Sequence, residues 1–249
     1  MEILRRFTGI ERLYGTTGTA CIAQTHIAVI GVGGVGSWAV EAFARSGIST
    51  LTLIDSDHVA ESNINRQSHA LTSTLGRCKI DVLAERVADI HPTCQVRCID
   101  QFIESDNLME LISLDYDWVV DCIDNFRLKA ALIAHCRRQH QSVLTVGAAG
   151  GQQDPTRICC SDLRRTTQDA LLARTRKQLR QIYRFPRNPA RCFGVPAVWS
   201  PEPITRIQVC MPQTDHSLNC AGFGACMPVT ATFGLVAAAH ILKKITQSG

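Results

Sequence analysis

Short apolar runs alternate with segments of helical periodicity along the first 150 residues of the chain. Apolar runs typical of buried strands cover residues 27–30, 50–54, 95–99, 118–123 and 142–146. Between them, apolar residues three or four positions apart predict helices over residues 37–45, 79–90 and 127–139. Because the strands are continuously apolar and separated by helices, the pattern predicts a parallel sheet that helices cover on both faces.

The sequence therefore predicts an α/β fold, a Rossmann-like, doubly wound and mostly parallel sheet with a C-terminal extension. We expect this extension to contain a basic helix and loop, short antiparallel strands and a final helix. The expected organisation is a single domain over residues 1–249, with a helical arm at 1–25, a nucleotide-binding core at 26–150 and the extension at 151–249. In such sheets, ligands bind beyond the carboxyl ends of the strands, so residues that follow strands are the first candidates for function.

A glycine-rich segment lies between the first predicted strand and the first predicted helix. Gly31, Gly33, Gly34 and Gly36 allow a sharp turn and let a phosphate approach the amide groups at the helix N-terminus. A plain tight turn is the alternative. Asp55 ends the second strand, where a carboxylate can accept hydrogen bonds from ribose hydroxyls. Together these residues predict a site for an adenine nucleotide, either NAD or ATP.

Charged and amide side chains near the strand ends favour ATP over NAD. They are Asp57, Asn63, Asn65, Arg66, Gln67 and Lys79 after the second strand, and Asp124 and Asn125 after the fourth. An ATP that loses pyrophosphate needs cations on its outer phosphates and a carboxylate for Mg²⁺, whereas glycine-loop amides satisfy a dinucleotide. Arg66 and Lys79 are the candidate cations, and Asp124 is the candidate magnesium ligand. For each of them, a surface ion pair is the alternative.

Five segments resemble the ThiF/MoeB family, relatives of the ubiquitin-activating enzymes that adenylate a carboxylate with ATP. They are residues 31–36 (GVGGVG), 53–57 (LIDSD), 62–67 (SNINRQ), 76–79 (GRCK) and 121–125 (DCIDN). The resemblance implies that ATP and Mg²⁺ are the cofactors and that the chain forms a homodimer.

This resemblance also implies roles for individual residues. It implies ribose contact for Asp55, phosphate contact for Asn65, Arg66 and Lys79, and magnesium or nucleotide contact for Asp124. Arg66, Lys79 and Asp124 are accordingly the expected catalytic residues, together with an N-terminal arginine that reaches across the dimer interface. Arg12 is our candidate for that arginine, and Arg6 is the alternative.

Further segments resemble one branch of the family, the tRNA threonylcarbamoyladenosine dehydratases. They are residues 6–15, 147–155, 167–169, 223–225 and 229–234. The two zinc-binding C-x-x-C pairs of the sulfur-carrier activators are absent from the chain, which fits this branch. The resemblance implies ATP-dependent cyclisation of the threonylcarbamoyl group on a tRNA adenosine next to the anticodon, through an adenylate of the threonyl carboxylate. It also makes a monovalent cation, Na⁺ or K⁺, a candidate ligand.

The positive charge of the chain is concentrated in one segment. Lys+Arg 26 against Asp+Glu 22 gives a net charge of +4, but residues 164–191 hold nine basic residues and one acidic residue. Such a segment is either a solvated helix face or a surface for a phosphate backbone. We favour tRNA binding by Arg174, Arg176, Lys177, Arg180 and Arg184.

The twelve cysteines are the unusual feature of the composition. Because no apolar signal segment follows Met1, we expect a cytoplasmic, reducing compartment in which thiols pack as small apolar groups. A structural zinc site is the alternative, and the absence of C-x-x-C spacing weighs against it. Cys220 and Cys226 remain candidates for a reactive thiol. The apolar run 228–242 is too short to span a bilayer, so we expect a buried helix rather than membrane attachment.

Three other functions remain open from the sequence. The main alternative is an adenylyltransferase that activates the C-terminal carboxylate of a small ubiquitin-like sulfur-carrier protein. A nicotinamide dehydrogenase would not require the cations and the carboxylate described above. A nucleotide-sensing module that assists sulfur-transfer proteins, such as a cysteine desulfurase, would not require the magnesium ligand.

Overall fold

The computed structural model describes residues 5–104, 106–204 and 223–247. Every strand and helix predicted for the first 150 residues is present, with ends within two residues of those predicted. The helices are α1 (Thr8–Gln24), α2 (Gly36–Arg45), α3 (Lys79–Ile90), α4 (Leu108–Leu111), α5 (Phe126–Arg138), α6 (Ala170–Ile182) and α7 (Met227–Gln247). The strands are β1 (His26–Ile30), β2 (Thr50–Ile54), β3 (Gln95–Ile99), β4 (Trp118–Asp121), β5 (Ser142–Val146), β6 (Cys159–Asp162) and β7 (Pro196–Trp199).

These strands form one sheet in the order β3-β2-β1-β4-β5-β7-β6. All neighbouring pairs are parallel except β6 and β7. The strand order reverses direction between β1 and β4, and ligands of doubly wound sheets bind in the crevice at that point. The predicted fold class is therefore confirmed.

Two apolar cores lie on the two faces of the sheet. Alternate residues of β1 point to opposite faces, so Ile27 and Val29 join one core while Ala28 and Ile30 join the other. The first core includes buried residues of α2, α3 and α7, and the second includes residues of α5 and α6. This arrangement leaves the carboxyl edge of the sheet open.

The C-terminal extension contributes to the same sheet and to both helical layers. Its short antiparallel pair, β6 and β7, is present as predicted, and β7 also pairs in parallel with β5. Helix α7 packs closely on α2, where a Cβ on Gly234 would lie 2.6 Å from the carbonyl oxygen of Val35. Its buried residues include Phe233, Ala237 and Ile241, as expected for a core helix. None of the helices described has the length and apolar character needed to cross a lipid bilayer.

Candidate active site at the carboxyl edge of the sheet

A cavity of about 780 Å³ lies at the carboxyl edge of the sheet, around the point where the strand order reverses. Its walls come from segments that follow β1, β2, β3, β4 and β5 and from the start of α6. The predicted site residues that line it are Gly31, Gly33, Gly34, Gly36, Asp55, Asp57, Asn63, Arg66, Gln67, Lys79, Asp124 and Asn125. The structure therefore brings together residues that lie far apart in the sequence.

The glycine loop makes a tight turn between β1 and α2. Gly31 has φ of 83° and donates its N–H to the carbonyl oxygen of Ile54 at 2.9 Å. A Cβ at Gly36 would lie only 1.9 Å from the carbonyl oxygen of Gly31, so a larger residue does not fit there. The turn places the N-terminus of α2 at the cavity, where helix amides favour an anion.

Asp55 and Lys79 are buried at the opposite ends of a short chain of polar contacts. The Asp55 carboxylate accepts hydrogen bonds from the N–H groups of Val32 at 2.8 Å and Asp57 at 2.9 Å. Lys79 is almost inaccessible to solvent, and its Nζ lies 2.7 Å from Oδ2 of Asp57. These contacts fix both side chains at the wall of the cavity.

The segment that follows β2 holds Arg66 through polar contacts of its own. One Arg66 guanidinium nitrogen donates to the carbonyl oxygen of Ser62 at 2.8 Å and to Oδ1 of Asn65 at 2.9 Å. Asn65 donates to the carbonyl oxygen of Ala225 at 2.8 Å and does not line the cavity in this structure. Asn65 thus orients Arg66, while the phosphate contact implied for Asn65 stays a prediction.

Asp124 and Asn125 follow β4 and have different surroundings. Asp124 is exposed at the cavity wall, so its carboxylate is accessible to a cation in the cavity. Asn125 is the N-cap of α5, since its Oδ1 accepts hydrogen bonds from the N–H groups of Arg127 at 2.9 Å and Leu128 at 3.4 Å. The side-chain oxygen of Asn125 is therefore already engaged in helix capping, although the residue borders the cavity.

On the side of the cavity formed by β5 and α6, only Arg174 was a candidate from the sequence, and it was a candidate for tRNA binding. Residues 147–150 follow β5, and Ala170, Leu171 and Arg174 come from the first turns of α6. Asp169, the N-cap of α6, accepts hydrogen bonds from the N–H groups of Leu172 at 2.8 Å and Ala148 at 2.9 Å. Burial raises the pKa of the Asp169 carboxyl, and these two hydrogen bonds oppose that rise. The rule that ligands bind at strand ends, applied to β5, would have identified this wall.

A buried ion pair, Lys129 with Asp121, was also missed. Both side chains are wholly inaccessible to solvent, and Thr145 of β5 contacts both of them. A lysine among the apolar residues Ala130, Leu132 and Ile133 of α5 was the only sequence signal for it.

The five basic residues predicted to bind tRNA lie in two environments. Arg174, Lys177 and Arg184 are exposed, and Arg174 also borders the cavity, with its guanidinium 5.9 Å from the ring centre of Phe126. Arg176 donates to Thr166, and Arg180 lies over the ring of Phe193 at 5.2 Å. Burial lowers the pKa of Arg176 from its usual value. Contact with tRNA stays a prediction for all five.

Neither candidate for the N-terminal arginine lines the cavity of its own chain. Arg6 donates to the carbonyl oxygens of Asp89 and Ile90, both at 2.9 Å, at the end of α3. Arg12 is exposed on α1. A role across a dimer interface, for which Arg12 was our candidate, stays a prediction.

The described cysteines are free thiols; Cys136 is buried, and most of the others are partly buried. Burial raises the pKa of Cys122 and Cys136 to about 12, which keeps these thiols protonated and poorly nucleophilic. Cys226 is partly buried, whereas Cys220 lies outside the described residues. No group of three or more His, Cys, Asp and Glu side chains that is suited to a metal occurs in the described part of the chain.

Fold and cavity together define an α/β nucleotide-binding architecture, with a glycine loop, a buried carboxylate and cations around one crevice. The chain belongs to the ThiF family, whose model matches residues 6–249. It is 49% identical over 245 residues to tRNA threonylcarbamoyladenosine dehydratase of Haemophilus influenzae, covering 97% of this chain and 93% of that protein. It is 46% identical over 250 residues to the Escherichia coli protein of the same name, with the same coverage of each chain.

The fold agrees with solved structures of the Escherichia coli protein. The crystal structure of E. coli tRNA N6-threonylcarbamoyladenosine dehydratase, TcdA, in complex with ATP has a TM-score of 0.90 to this chain, at 44% identity. The match covers 98% of this chain and 95% of that one. The complex of the same protein with AMP also has a TM-score of 0.90, at 45% identity, and covers 98% and 96% of the two chains.

Proposed function

We propose that this chain is an ATP-dependent tRNA threonylcarbamoyladenosine dehydratase that cyclises the threonylcarbamoyl group of an adenosine next to the anticodon. The observation that carries the proposal is the single cavity that is lined by the glycine loop, Asp55, Arg66, Lys79 and Asp124. Relatives of the same name that match nearly the whole chain support it. Those relatives do not favour the sulfur-carrier adenylyltransferase.

The reaction needs activation of a carboxylate, because a carboxylate is a poor electrophile. An oxygen of the threonyl carboxylate attacks the α-phosphorus of ATP, pyrophosphate leaves, and an acyl-adenylate forms. A nitrogen or oxygen of the neighbouring carbamoyl group then attacks the activated carbonyl carbon, AMP leaves, and the ring closes with net loss of one water from the nucleoside. Both reacting groups belong to one substituent, so proximity supplies much of the rate and no enzyme nucleophile is required. A reactive role for Cys220 or Cys226 is therefore not part of the proposal.

The residues that are proposed to bind ATP have separate roles in this scheme. The glycine-loop amides at the N-terminus of α2 bind phosphate, and Asp55 accepts hydrogen bonds from ribose hydroxyls. Arg66 and Lys79 stabilise the charge that develops on the phosphates, Arg66 being already oriented by Asn65 and Lys79 by Asp57.

Mg²⁺ fits the carboxylate that borders the cavity. This cation is usually bound by one or two carboxylates, substrate phosphates and several waters, so one exposed Asp124 is a sufficient protein contribution. Mg²⁺ would neutralise charge on the ATP phosphates. The monovalent cation, Na⁺ or K⁺, is proposed from the family resemblance alone.

The extension, residues 151–249, is proposed to carry the tRNA and dimer contacts. Arg174, Lys177 and Arg184 are exposed and suited to phosphate contact, while Arg176 and Arg180 add positive potential beside them. We also propose a cytoplasmic homodimer in which Arg12 reaches the partner's cavity. A cysteine desulfurase remains a proposed partner on the family resemblance.

A single reaction tests the proposal. The full chain is incubated with ATP, Mg²⁺ and tRNA that carries threonylcarbamoyladenosine, and the nucleoside is measured by mass spectrometry. We expect loss of one water with release of AMP and pyrophosphate. Unchanged tRNA, together with adenylation of the C-terminus of a ubiquitin-like carrier protein, would establish the alternative function.

Two substitutions test the site assignment. Arg66→Ala and Asp124→Ala should each abolish turnover and leave the circular dichroism spectrum unchanged, since both side chains lie at the cavity wall rather than in a core. Matched controls are Arg77→Ala and Asp89→Ala, which alter exposed side chains outside the cavity and should retain turnover. Activity in both site variants would refute the assignment.

A further inference from the structure

A fully buried lysine occupies the junction between β4, β5 and α5. Lys129 Nζ lies 2.9 Å from Oδ2 of Asp121 and donates to the Asp121 carbonyl oxygen and to Oγ1 of Thr145, at 3.2 Å each. Thr145 Oγ1 donates in turn to Asp121 Oδ2 at 2.7 Å. Neither charged side chain has any solvent-accessible surface. An isolated ammonium would be costly in this environment, so Asp121 and Thr145 are what make its burial tolerable.

This ion pair continues into the segments that form the cavity wall. Asp121 Oδ1 accepts a hydrogen bond from the N–H of Ile123 at 3.1 Å, at the turn that leads to Asp124. Thr145 lies two residues before residues 147–150, which line the cavity after β5. A change at Lys129 is therefore transmitted through its direct partners to two walls of the cavity.

The positive charge of Lys129 also acts on the N-cap of α6. Burial raises the pKa of the Asp169 carboxyl, and the hydrogen bonds from Leu172 and Ala148, followed by the charge of Lys129, oppose that rise. Those hydrogen bonds join the residues after β5 to the first turn of α6, and the next turn presents Arg174 at the cavity. A Cβ at Gly147 would lie 2.0 Å from Asp169 Oδ2, so the junction has no free space.

The three connected segments lie on one side of the cavity. Asp55, Lys79 and the glycine loop belong to the β1 and β2 side, whereas residues 123–126, 147–150 and 170–174 belong to the β4, β5 and α6 side. We call the former the nucleotide side and the latter the acceptor side. A buried ion pair is weak evidence for a stabilising role, because well-packed apolar residues of similar volume often give a protein of equal or greater stability. Its position beneath the acceptor side therefore points to a role in orientation.

We propose that Lys129 is a positioning residue that holds the acceptor side in the arrangement that receives the threonylcarbamoyl group of the tRNA. The inference rests on the proposed function for the identity of this ligand. Lys129 acts through Asp121, Thr145 and Asp169 and makes no contact with the substrate itself. Residues of the nucleotide side have their own contacts and do not depend on it.

The kinetic test uses Lys129→Met, which keeps a long side chain and removes the charge. We expect kcat/KM for the modified tRNA to fall by about 10- to 100-fold, the usual consequence of misplacing reacting groups by about 1 Å. ATP affinity, measured by calorimetry without Mg²⁺ because the proposed magnesium ligand Asp124 lies on the acceptor side, should stay near the wild-type value. Unchanged kcat/KM in the folded variant, or loss of ATP affinity in the same proportion, would overturn the proposal.

A second pair of variants serves if Lys129→Met does not fold. Thr145→Val removes the hydroxyl that bridges Lys129 and Asp121 but keeps a β-branched shape, and it should reduce kcat/KM for tRNA less strongly. Thr145→Ser retains the hydroxyl and should restore most of the activity. Equal activity of both Thr145 variants would contradict the proposal.

Hydrogen exchange separates this inference from the proposed function, because it needs no turnover. In Lys129→Met or Thr145→Val, the amides of Ile123, Ala148 and Leu172 should exchange faster, whereas those of Val32 and Asp57 should not. A matched control is Glu41→Gln, which removes the negative charge of Glu41 from its two ion pairs, one with Arg45 and one with Arg86. This variant should have a lower melting temperature, but the exchange of all five amides should be unchanged. Uniformly faster exchange in Thr145→Val would show a purely structural role.

Discussion

Gly36 is the residue at which backbone geometry most strictly limits the sequence. A Cβ at this position would lie 1.9 Å from the carbonyl oxygen of Gly31, well inside any contact distance, and this oxygen is a backbone atom that cannot move aside as the end of a flexible side chain can. Gly9 provides a comparison, because it lies in α1 and a Cβ there would meet nothing within 4 Å. Comparison of the two glycines therefore distinguishes the steric exclusion of a side chain at Gly36 from the low helix propensity of glycine, which alone applies at Gly9.

We predict opposite outcomes for alanine at these two positions. Gly36→Ala should reduce both thermal stability and ATP affinity, since the glycine loop cannot close as it does now. Gly9→Ala should be neutral or stabilising by up to about 1 kcal/mol, because alanine is the better helix former. Differential scanning calorimetry and ATP titration measure both effects. Normal ATP affinity in Gly36→Ala would contradict the role assigned to the loop.

His69 is buried next to the nucleotide side and is the residue from which a pH effect is expected. Neither ring nitrogen has a hydrogen-bond partner among the described residues, and the imidazole is almost fully buried. This burial, together with the positive charges of Lys79 and Arg86, lowers its pKa to about 4. The unfolded chain has the ordinary histidine pKa of about 6.5 and so takes up a proton first as the pH falls.

We predict that His69 contributes to acid sensitivity between these two values. The pKa of His69 is lower in the folded chain than in the unfolded chain. His69 therefore does not reduce the free energy of unfolding above pH about 6.5, but it reduces it increasingly as the pH falls towards about 4. From pH 7.5 to pH 5 the loss is about 2 kcal/mol for this group. Urea unfolding of wild type and His69→Gln at both pH values measures it. The difference between the two proteins isolates His69 from other histidines with lowered pKa, and equal pH dependence would refute the prediction.

At the scale of elements, helix α6 combines packing and exposed charge. Its inner residues Leu172, Thr175 and Leu179 are buried against α5, and its exposed residues include Arg174 and Lys177. If the exposed cations meet tRNA phosphates, binding must release counterions and weaken with salt. This dependence distinguishes phosphate contact from a merely solvated helix face.

We predict that Lys177→Gln and Arg184→Gln each weaken tRNA binding without loss of thermal stability. Each should also reduce the slope of log affinity against log salt by about 0.7–0.9, the value for one lost phosphate contact. Arg45→Gln is the control, because Arg45 is exposed on α2 in the other helical layer and should leave the slope unchanged. Filter binding across a salt series gives the slopes. Arg184 lies just beyond the end of α6, and an unchanged slope in both the Lys177 and the Arg184 variant would favour a solvated surface.

Sequence periodicity predicted the central elements well because continuous apolar runs in the strands and three-to-four spacing in the helices are local features of the sequence. Strand β4 is an exception, since it ends at Asp121 rather than at residue 123. The Asp121 carboxylate bonds the N–H of Ile123 and pairs with Lys129, so the chain leaves the sheet there. A contact between residues eight positions apart in different elements is not visible in an apolar pattern.

The candidate site was predicted after β1, β2 and β4, but residues 147–150 after β5 were not assigned to it, and contacts between distant segments were missed as well. The residues after β1, β2 and β4 line the cavity as expected from the strand-end rule. Asn125 carries a capping signal that is readable in the sequence, as it directly precedes a helix. The contacts of Arg176 with Thr166 and of Arg180 with Phe193 could not be predicted from the sequence. Both partners lie in segments outside helix α6.

At the scale of the whole molecule, the nucleotide site connects separate parts of the fold. Thr230 of α7 lines the cavity, and α7 packs on α2, which starts at the glycine loop. Asn65 contacts the backbone of Ala225 just before α7. A ligand that bridges these parts should therefore stabilise the folded chain as a unit, since it binds the native state and not the unfolded one.

We predict that ATP with Mg²⁺ raises the melting temperature, whereas NAD does not. At a hundred times its Kd, a ligand adds about 2.7 kcal/mol, which corresponds to about 5–10 °C for a chain of this size. NAD should have no such effect, because the cations and the carboxylate at the cavity suit a triphosphate with its magnesium rather than a nicotinamide. Asp124→Asn should remove the part of the shift that depends on Mg²⁺ and retain the part due to ATP alone. Differential scanning fluorimetry with EDTA controls measures each part, and a larger shift with NAD than with ATP would reverse the choice of nucleotide.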